Sequence, residues 1–236
     1  MTLKIAGVPE RFFGGIKDQL IVCRGGTGEM IEKLNNKELD GAIGLTEGFI
    51  KNGTFPIIGQ FTVNPITWMI CGRKTIRTLG ISRYGSGSEL MGHLLMKREK
   101  TKFKFVESFH LEGLLKDMRS GKIDGFLWEW YTTLPLVKEN EIQGSIDSPW
   151  PAFMIACRPD ILANNKNELQ ELLDKWTVIN KGYLLSKKDD KEFDLVNFPK
   201  HHADIDKKAL EHCSTILKDL GLITTDHRYL VADLKE

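Results

Sequence analysis

Residues 32–43 (EKLNNKELDGAI) decide the fold, because residues 116–127 (KDMRSGKIDGFL) repeat them 84 positions later. Each copy has the pattern of the end of an amphipathic helix, a tight turn, and an Asp-Gly pair that opens a short apolar strand. Two copies of one helix–strand unit indicate two similar lobes, and a cleft between lobes is a usual place for a ligand. The alternative is a chance likeness between two ordinary helix–strand junctions.

Around the repeat, short apolar runs alternate with helical patterns, which predicts α/β lobes with mostly parallel sheets flanked by helices. The segments Asn64-Pro65 and Pro149-Trp150-Pro151 are the two candidate hinges. We therefore expect a first lobe of residues 1–64 plus 152–236, a second lobe of residues 65–151, and two hinge crossovers. Predicted strands are residues 3–8, 17–23, 41–45, 57–63, 66–71, 77–82, 103–108, 125–128 and 153–157; predicted helices are 29–39, 86–98, 111–119, 161–184 and 207–220.

The link between the first two predicted strands is too short for this scheme. Only residues 10–16 join them, whereas a parallel crossover needs a dozen residues or more. Either the two strands form a hairpin, or a helix of about 15–20 residues is absent from the sequence at this point. The awkward Gly14-Gly15 junction favours the absent helix.

Composition excludes several classes of function. The chain has 236 residues, 41% hydrophobic and 28% charged, with a net charge of +1 and no basic block, so we expect neither nucleic acid nor an anionic membrane as partner. No apolar run is long enough to span a membrane. The four cysteines are far apart and three lie in apolar runs, which predicts reduced thiols. Residues 1–7 lead directly into a strand with no signal-peptide pattern, so we expect a cytoplasmic protein unless a leader was removed.

Two glycine-rich turns each stand between a predicted strand and a predicted helix. One is residues 83–88 (RYGSGS) in the second lobe, and the other is residues 25–28 (GGTG), which we expect to occupy the equivalent place in the first lobe. Glycine lets a ligand approach the backbone, and the first N–H groups of a helix lack partners and favour an anion. We expect both turns to bind a carboxylate, sulfonate or phosphate across one cleft; the alternative is an ordinary Ser N-cap. The predicted contacts are Gly26, Thr27, Gly28, Tyr84, Ser86, Gly87 and Ser88.

A second group of candidates follows the Asp-Gly strands. In an extended segment the side chains of Trp128 and Glu129 lie on opposite sides. Trp128 could stack on a planar ligand, or Glu129 could accept a hydrogen bond from an amine. Thr46 and Glu47 hold the similar position in the first lobe. For Trp130, packing between sheet and helix is as good an explanation as ligand contact.

The sequence predicts neither a cofactor nor a metal. No P-loop, HExxH or GxSxG motif occurs, and no cysteine has a histidine at a recognisable spacing. His201, His202 and His212 fit a solvated surface better than a metal site, and His110 follows a strand end from which it could reach the cleft.

Several of these segments together resemble one protein family. They are residues 3–10, 25–28, 45–48, 81–88, 128–129 with 132–133, and 149–151. The family consists of intracellular fungal and bacterial proteins with the type II periplasmic-binding-protein fold, related to the branch that binds aliphatic sulfonates and thiamine-pyrimidine precursors. The resemblance implies two lobes that close on a small molecule, and a helix after the first strand that this chain lacks.

Three functions remain open at this stage. The first is a binding protein for a small anionic metabolite. The second is an enzyme on the same scaffold, a lyase or a pyrimidine-precursor synthase, using Glu47 or Glu129 as a general base. The cysteine-rich motif that the resemblance implies for such a synthase is missing here. The third is an interaction module that has lost its ligand.

Overall fold

A computed structural model describes residues 2–9, 13–187, 205–232 and 234. The chain forms two compact units, the first made of Met1–Pro65 and Pro149–Glu236 and the second of Ile66–Ser148. None of the described helices has the length and hydrophobicity needed to cross a membrane.

The first unit contains a five-stranded sheet in the order β2-β1-β3-β10-β4. β1, β2 and β3 are parallel to one another, whereas β10 is antiparallel to both of its neighbours. Its strands are β1 (Ile5–Gly7), β2 (Ile21–Val22), β3 (Gly41–Leu45), β4 (Ile57–Gln60) and β10 (Phe153–Cys157). Its helices are α1 (Gly26–Asn35), α2 (Thr46–Asn52), α6 (Pro159–Asn164), α7 (Lys166–Ser186) and α8 (Lys207–Asp219).

The second unit contains a five-stranded sheet in the order β7-β6-β8-β5-β9. β6 is parallel to β7 and β8, and β5 is antiparallel to β8 and β9. Its strands are β5 (Thr67–Gly72), β6 (Thr78–Ile81), β7 (Lys104–Glu107), β8 (Gly125–Glu129) and β9 (Ile142–Asp147). Its helices are α3 (Gly87–Glu99), α4 (Leu111–Ser120) and the single turn α5 (Trp130–Thr133).

The core of the second unit lies between its sheet and α4. Met69, Phe126, Leu114 and Ile123 are fully buried there. In α4 the apolar residues recur at helical spacing, so one face of the helix is buried and the other is solvated. Val106 of β7 and Trp128 of β8 pack against this cluster.

Both sheets have the same strand order and the same strand directions, so the two units have one topology. The Asp of the repeated Asp-Gly pair also makes the same kind of hydrogen bond in both units. Asp40 accepts a hydrogen bond from Lys4 N (2.8 Å) ahead of β1, and Asp124 accepts one from Thr78 N (2.9 Å) at the start of β6. The second bond, with a further one from Arg77 N, holds the pKa of Asp124 below its usual range. The repeat therefore marks duplicated structure.

The predicted α/β fold class is confirmed, with one difference: each sheet is mixed, with two parallel and two antiparallel pairings. β9 was not predicted, because it is a largely exposed strand without apolar alternation. α2 was not predicted either, since seven residues are too few to show a helical pattern.

The hairpin expected as one alternative for the first two strands is wrong, because β1 and β2 are parallel. The expected strand 17–23 is also too long. Lys17–Gln19 form a 3₁₀ turn and the strand is only Ile21–Val22, so the link from β1 has 13 residues, enough for a parallel crossover. The length argument for an absent helix therefore fails, although Glu10 itself lies outside the described residues.

Candidate ligand-binding site

Three serine hydroxyls meet at the start of α3. Ser86 is the N-cap, and its Oγ accepts a hydrogen bond from Glu89 N at 3.3 Å. Ser88 Oγ accepts a hydrogen bond from Ser82 N at 2.9 Å and lies 3.0 Å from Ser86 Oγ. Ser88 is buried and Ser86 is half-buried. Ser88 thus joins the end of β6 to the helix, while Ser86 is the serine that solvent reaches.

The backbone N–H groups at the start of α3 fall into two kinds. Gly85 N donates to Glu89 Oε2 at 2.6 Å, so the chain's own carboxylate already occupies that donor. Gly87 N and Ser88 N have no acceptor in the part of the chain that the structure describes. These two amides are therefore available as donors to an anion, and the dipole of the 13-residue helix favours negative charge at the same place.

The turn at residues 25–28 is built around a similar carboxylate. Gly25 N donates to Glu29 Oε2 at 2.7 Å, and Lys33 lies 2.9 Å from the same side chain. Burial opposes ionisation of Glu29, but the hydrogen bonds from Lys33 and Gly25 outweigh it and lower its pKa. The turn therefore already holds a carboxylate, that of Glu29, which is paired with Lys33.

Thr27 has a structural position within this turn. Its Oγ1 accepts a hydrogen bond from Leu45 N at 2.8 Å, at the end of β3. A Cβ added at Gly48 would lie 2.6 Å from Thr27 Cγ2, so glycine is needed where α2 passes the threonine. The turn that contains Gly26 and Gly28 is thereby brought together with the start of α2, where Thr46 and Glu47 lie.

The expected equivalence of the two glycine turns is wrong. The shared topology pairs β1 with β6, β2 with β7 and β3 with β8, so the turn before α1 corresponds to the turn before α4. The counterpart of the turn before α3 is the link between β1 and β2. That link has no α-helix among its described residues 8, 9 and 13–20. The likeness of the two sequences arose because any strand-to-helix turn favours glycine.

Thr46 and Glu47 hold the chain where it re-enters the first unit. Thr46 Oγ1 donates to Pro151 O at 2.5 Å, and Thr46 N donates to Ala152 O at 3.0 Å. Trp150 Nε1 donates to Glu47 Oε2 at 3.0 Å. The two residues expected to select a ligand are therefore engaged with residues 150–152.

The Glu47 carboxylate is buried at the start of α2. Burial raises its pKa from 4.5 to about 7, although hydrogen bonds from its own backbone N–H and from Trp150 act in the opposite direction. Cys213 of α8 is near enough for the Glu47 charge to add to the effect of burial, and the Cys213 pKa is raised well above the usual range of a thiol. The pKa of Glu47 therefore approaches neutrality.

Glu129 ends β8 and caps the turn that follows. Its carboxylate accepts hydrogen bonds from Tyr131 N (2.7 Å), Thr132 N (2.8 Å) and Thr132 Oγ1 (2.7 Å). Trp128 is half-buried and packs against the core of the second unit, as does Trp130. Packing between sheet and helix therefore explains Trp130; Trp128 packs on the same core, and its contact with a ligand stays a prediction.

Of the other candidates, Tyr84 and His110 lie on neighbouring loops. Tyr84 is 60% exposed, its N–H donates to Glu107 Oε1 at 2.8 Å, and its hydroxyl reaches Phe105 O at 3.4 Å along β7. His110 is the N-cap of α4, and its Nδ1 accepts from Gly113 N at 3.0 Å. His201 and His202 lie outside the described residues.

Sequence reasoning missed Ser82, Glu29, Glu89 and Phe109. Both glutamates stand four residues after a turn glycine, and this spacing was a readable signal for a side chain that returns to the helix start.

These features define the class of protein. The chain has the fold of the type II periplasmic binding proteins, which confirms the resemblance seen in the sequence. Residues 68–147, which are almost all of the second unit, match the family model of the Ca3427-like periplasmic binding proteins. No curated protein matches the chain.

Three solved structures illustrate the likeness. The Candida albicans CA3427 protein, described as defining a family with the generic periplasmic-binding-protein fold, is 20% identical with a TM-score of 0.81, over 96% of this chain and 92% of its own. The alkanesulfonate-binding protein SsuA of Xanthomonas axonopodis pv. citri, bound to MOPS, is 12% identical with a TM-score of 0.72, over 98% of both chains. PhnD1 of Prochlorococcus marinus, in complex with methylphosphonate, is 14% identical with a TM-score of 0.57, over 94% of this chain and 98% of its own.

Proposed function

We propose that this protein binds a small anionic metabolite, a carboxylate, sulfonate or phosphate, whose acid group lies at the start of α3. One observation carries the proposal: Gly87 N and Ser88 N have no acceptor among the described residues, and the half-buried hydroxyl of Ser86 lies beside them. Such donors at a helix N-terminus suit an anion. Two of the structural neighbours carry small organic anions, MOPS and methylphosphonate, which supports this chemical class, whereas a third has zinc bound.

The other predicted contacts are part of this proposal. Gly26, Thr27 and Gly28, with Thr46 and Glu47, would approach the ligand from the first unit, and Tyr84, Trp128 and Glu129 from the second. That both units close on one ligand was expected from the sequence and belongs to the same hypothesis. A thiamine-pyrimidine precursor, suggested by the resemblance, is one compound to try.

Calorimetry with methanesulfonate, methylphosphonate and acetate tests the acid site. Ser86→Ala should weaken binding by about 1–3 kcal/mol, because a hydrogen bond to a charged group is lost. Glu89→Gln should strengthen it, since the amide can still accept from Gly85 N but no longer repels an anion. Ser120→Ala, at the far end of α4, is the matched control and should change nothing. Unchanged affinity in both α3 variants would refute the site.

The pKa of Glu47 supports a second candidate, an enzyme that uses this carboxylate as a general base. A pKa of about 7 suits that role near neutral pH. The Glu129 carboxylate is a weaker candidate, because three hydrogen bonds hold it. Incubation with any compound that binds separates the two functions, since a binding protein returns its ligand unchanged.

A cytoplasmic location, expected from the sequence, is also part of the proposal. All four cysteines are free and buried, which is compatible with a reducing compartment. Fractionation of the source cells with an antibody to this protein tests it.

A further inference from the structure

Phe109 is an aromatic residue with an unfavourable backbone conformation and an exposed side chain. Its φ angle is +64°, in the left-handed region that bulky residues avoid, and its side chain is 68% exposed. The other described non-glycine residues with positive φ are Lys37 and Lys100, which stand just after α1 and α3, where left-handed residues commonly end a helix. Phe109 instead stands between β7 and α4, and folding gains little from its ring.

The backbone around Phe109 holds this conformation. Phe109 N donates to Ser82 O at 2.9 Å, and His110 N donates to Ser108 O at 2.8 Å. Gly113 approaches so closely that an added Cβ would lie 2.1 Å from Ser108 O. The loop is therefore built to display one side chain, at a position where asparagine or glycine would fit with less strain.

Phe109 also lies beside the proposed acid site. Its backbone N–H donates a hydrogen bond to Ser82 O, and Ser82 N donates in turn to Ser88 Oγ at the start of α3. β6 and β7 are neighbouring parallel strands, about 5 Å apart, so their following loops leave the same edge of the sheet. A ring on the loop after β7 can thus reach a ligand whose acid group is held by the loop after β6.

We propose that Phe109 is a specificity-determining residue that packs on an apolar, planar part of the ligand next to its acid group. The inference rests on the function proposed above, and it narrows the ligand from any small anion to an acid with an aromatic or similarly flat body. Aromatic pairs prefer offset or edge-on contact, and an exposed ring has the freedom to offer either.

The test compares two sulfonates that differ only in body, methanesulfonate and benzenesulfonate, by titration calorimetry. The wild-type protein should prefer benzenesulfonate on the order of tenfold. Phe109→Asn should abolish that preference and leave methanesulfonate binding unchanged. Its melting temperature should rise by about 2–4 °C, because asparagine tolerates positive φ. The pairs acetate–benzoate and methyl phosphate–phenyl phosphate extend the comparison to the other acid groups.

Lys100→Asn is the matched control. It replaces another positive-φ residue in the same unit, at the C-terminal end of α3, so it should change melting temperature in the same direction and leave both affinities unchanged. A benzenesulfonate preference that survives Phe109→Asn would overturn this inference and leave the acid site standing. A variant that melts several degrees lower would also overturn it, because Phe109 would then be a packing residue. Failure of all six compounds to bind would refute the acid site as well.

Discussion

The buried carboxylate of Glu47 makes a quantitative prediction about stability and pH. Glu47 is 6% exposed at the start of α2, and burial raises its pKa from 4.5 to about 7. Glu47→Gln keeps the shape and an acceptor for Trp150 Nε1 but removes the ionisation. The free energy of unfolding of wild type and variant should therefore differ in its pH dependence.

The sign follows from the direction of the shift. Because the folded pKa is higher than the unfolded one, the neutral acid stabilises the fold, and this contribution is fully present below about pH 4.5. It is lost as pH rises through about 7. A pKa difference of roughly 2.5, at 1.36 kcal/mol for each pKa unit, gives a loss of about 3 kcal/mol in full.

Urea unfolding at half-unit steps from pH 5 to pH 8 measures this loss. The difference in unfolding free energy, wild type minus Glu47→Gln, should fall by about 2–3 kcal/mol over that range. All other ionisable groups are common to the two proteins and cancel. A difference that stays constant with pH would refute the reasoning, because Glu47 would then titrate alike in the folded and unfolded chains.

Trp150→Phe is the matched control for the hydrogen bond. It removes the donor that favours the ionised form of Glu47 and keeps an aromatic ring in place. The Glu47 pKa should rise further, so the fall in stability should move to higher pH. A fall at lower pH would show that the indole N–H does not stabilise the carboxylate.

Three further predictions concern residues that build the loops. Gly113→Ala should cost about 1–3 kcal/mol in urea unfolding, because its Cβ would overlap Ser108 O; equal stability would refute this. Thr27→Val should cost about 1–3 kcal/mol in the same assay, since Leu45 N loses its acceptor, whereas Thr27→Ser should retain stability within about 1 kcal/mol. Asp124→Asn should lower stability at pH 7 but not near pH 2, because the depressed pKa of Asp124 stabilises the fold only when the carboxylate is ionised; chemical unfolding at the two pH values tests this.

The fold could be predicted because its main signal is local. The bounds of β3 and β10 were predicted as Gly41–Leu45 and Phe153–Cys157, since both strands are buried throughout and read as continuous apolar runs. The Asp-Gly repeat located β3 and β8 in matching places of one topology. The lobe boundaries and the hinge closure expected from the prolines remain predictions.

Strand direction could not be predicted in the same way. β10 and β5 run antiparallel to their neighbours, and that depends on where the chain returns after leaving a unit, which no local pattern records. The expected strand at residues 17–23 failed because Leu20, Ile21 and Val22 follow a 3₁₀ turn, and an apolar run does not reveal how many of its residues pair. β9 was not predicted because an exposed edge strand needs few apolar residues, so its sequence lacks the pattern of a strand.

At the candidate site, the sequence predicted where helices begin, but not which groups accept hydrogen bonds from their first backbone N–H groups. Glycine and serine predict that backbone donors are accessible, and the turn at Ser86 is such a place. Whether each donor is already bonded depends on side chains one helical turn away. Thr46 and Glu47 illustrate the same limit, since their partners, residues 150–152, are about a hundred positions distant in the chain.

Glu89 gives the start of α3 a resident acid. Its carboxylate accepts a hydrogen bond from Gly85 N, so an anion bound at the proposed site would lie next to a negative charge. The proposed donors, Gly87 N and Ser88 N, are separate from Gly85 N, so the ligand would bind beside the Glu89 carboxylate and not in its place. Repulsion from that charge would make the net binding free energy of such an anion smaller than the two amides alone would give.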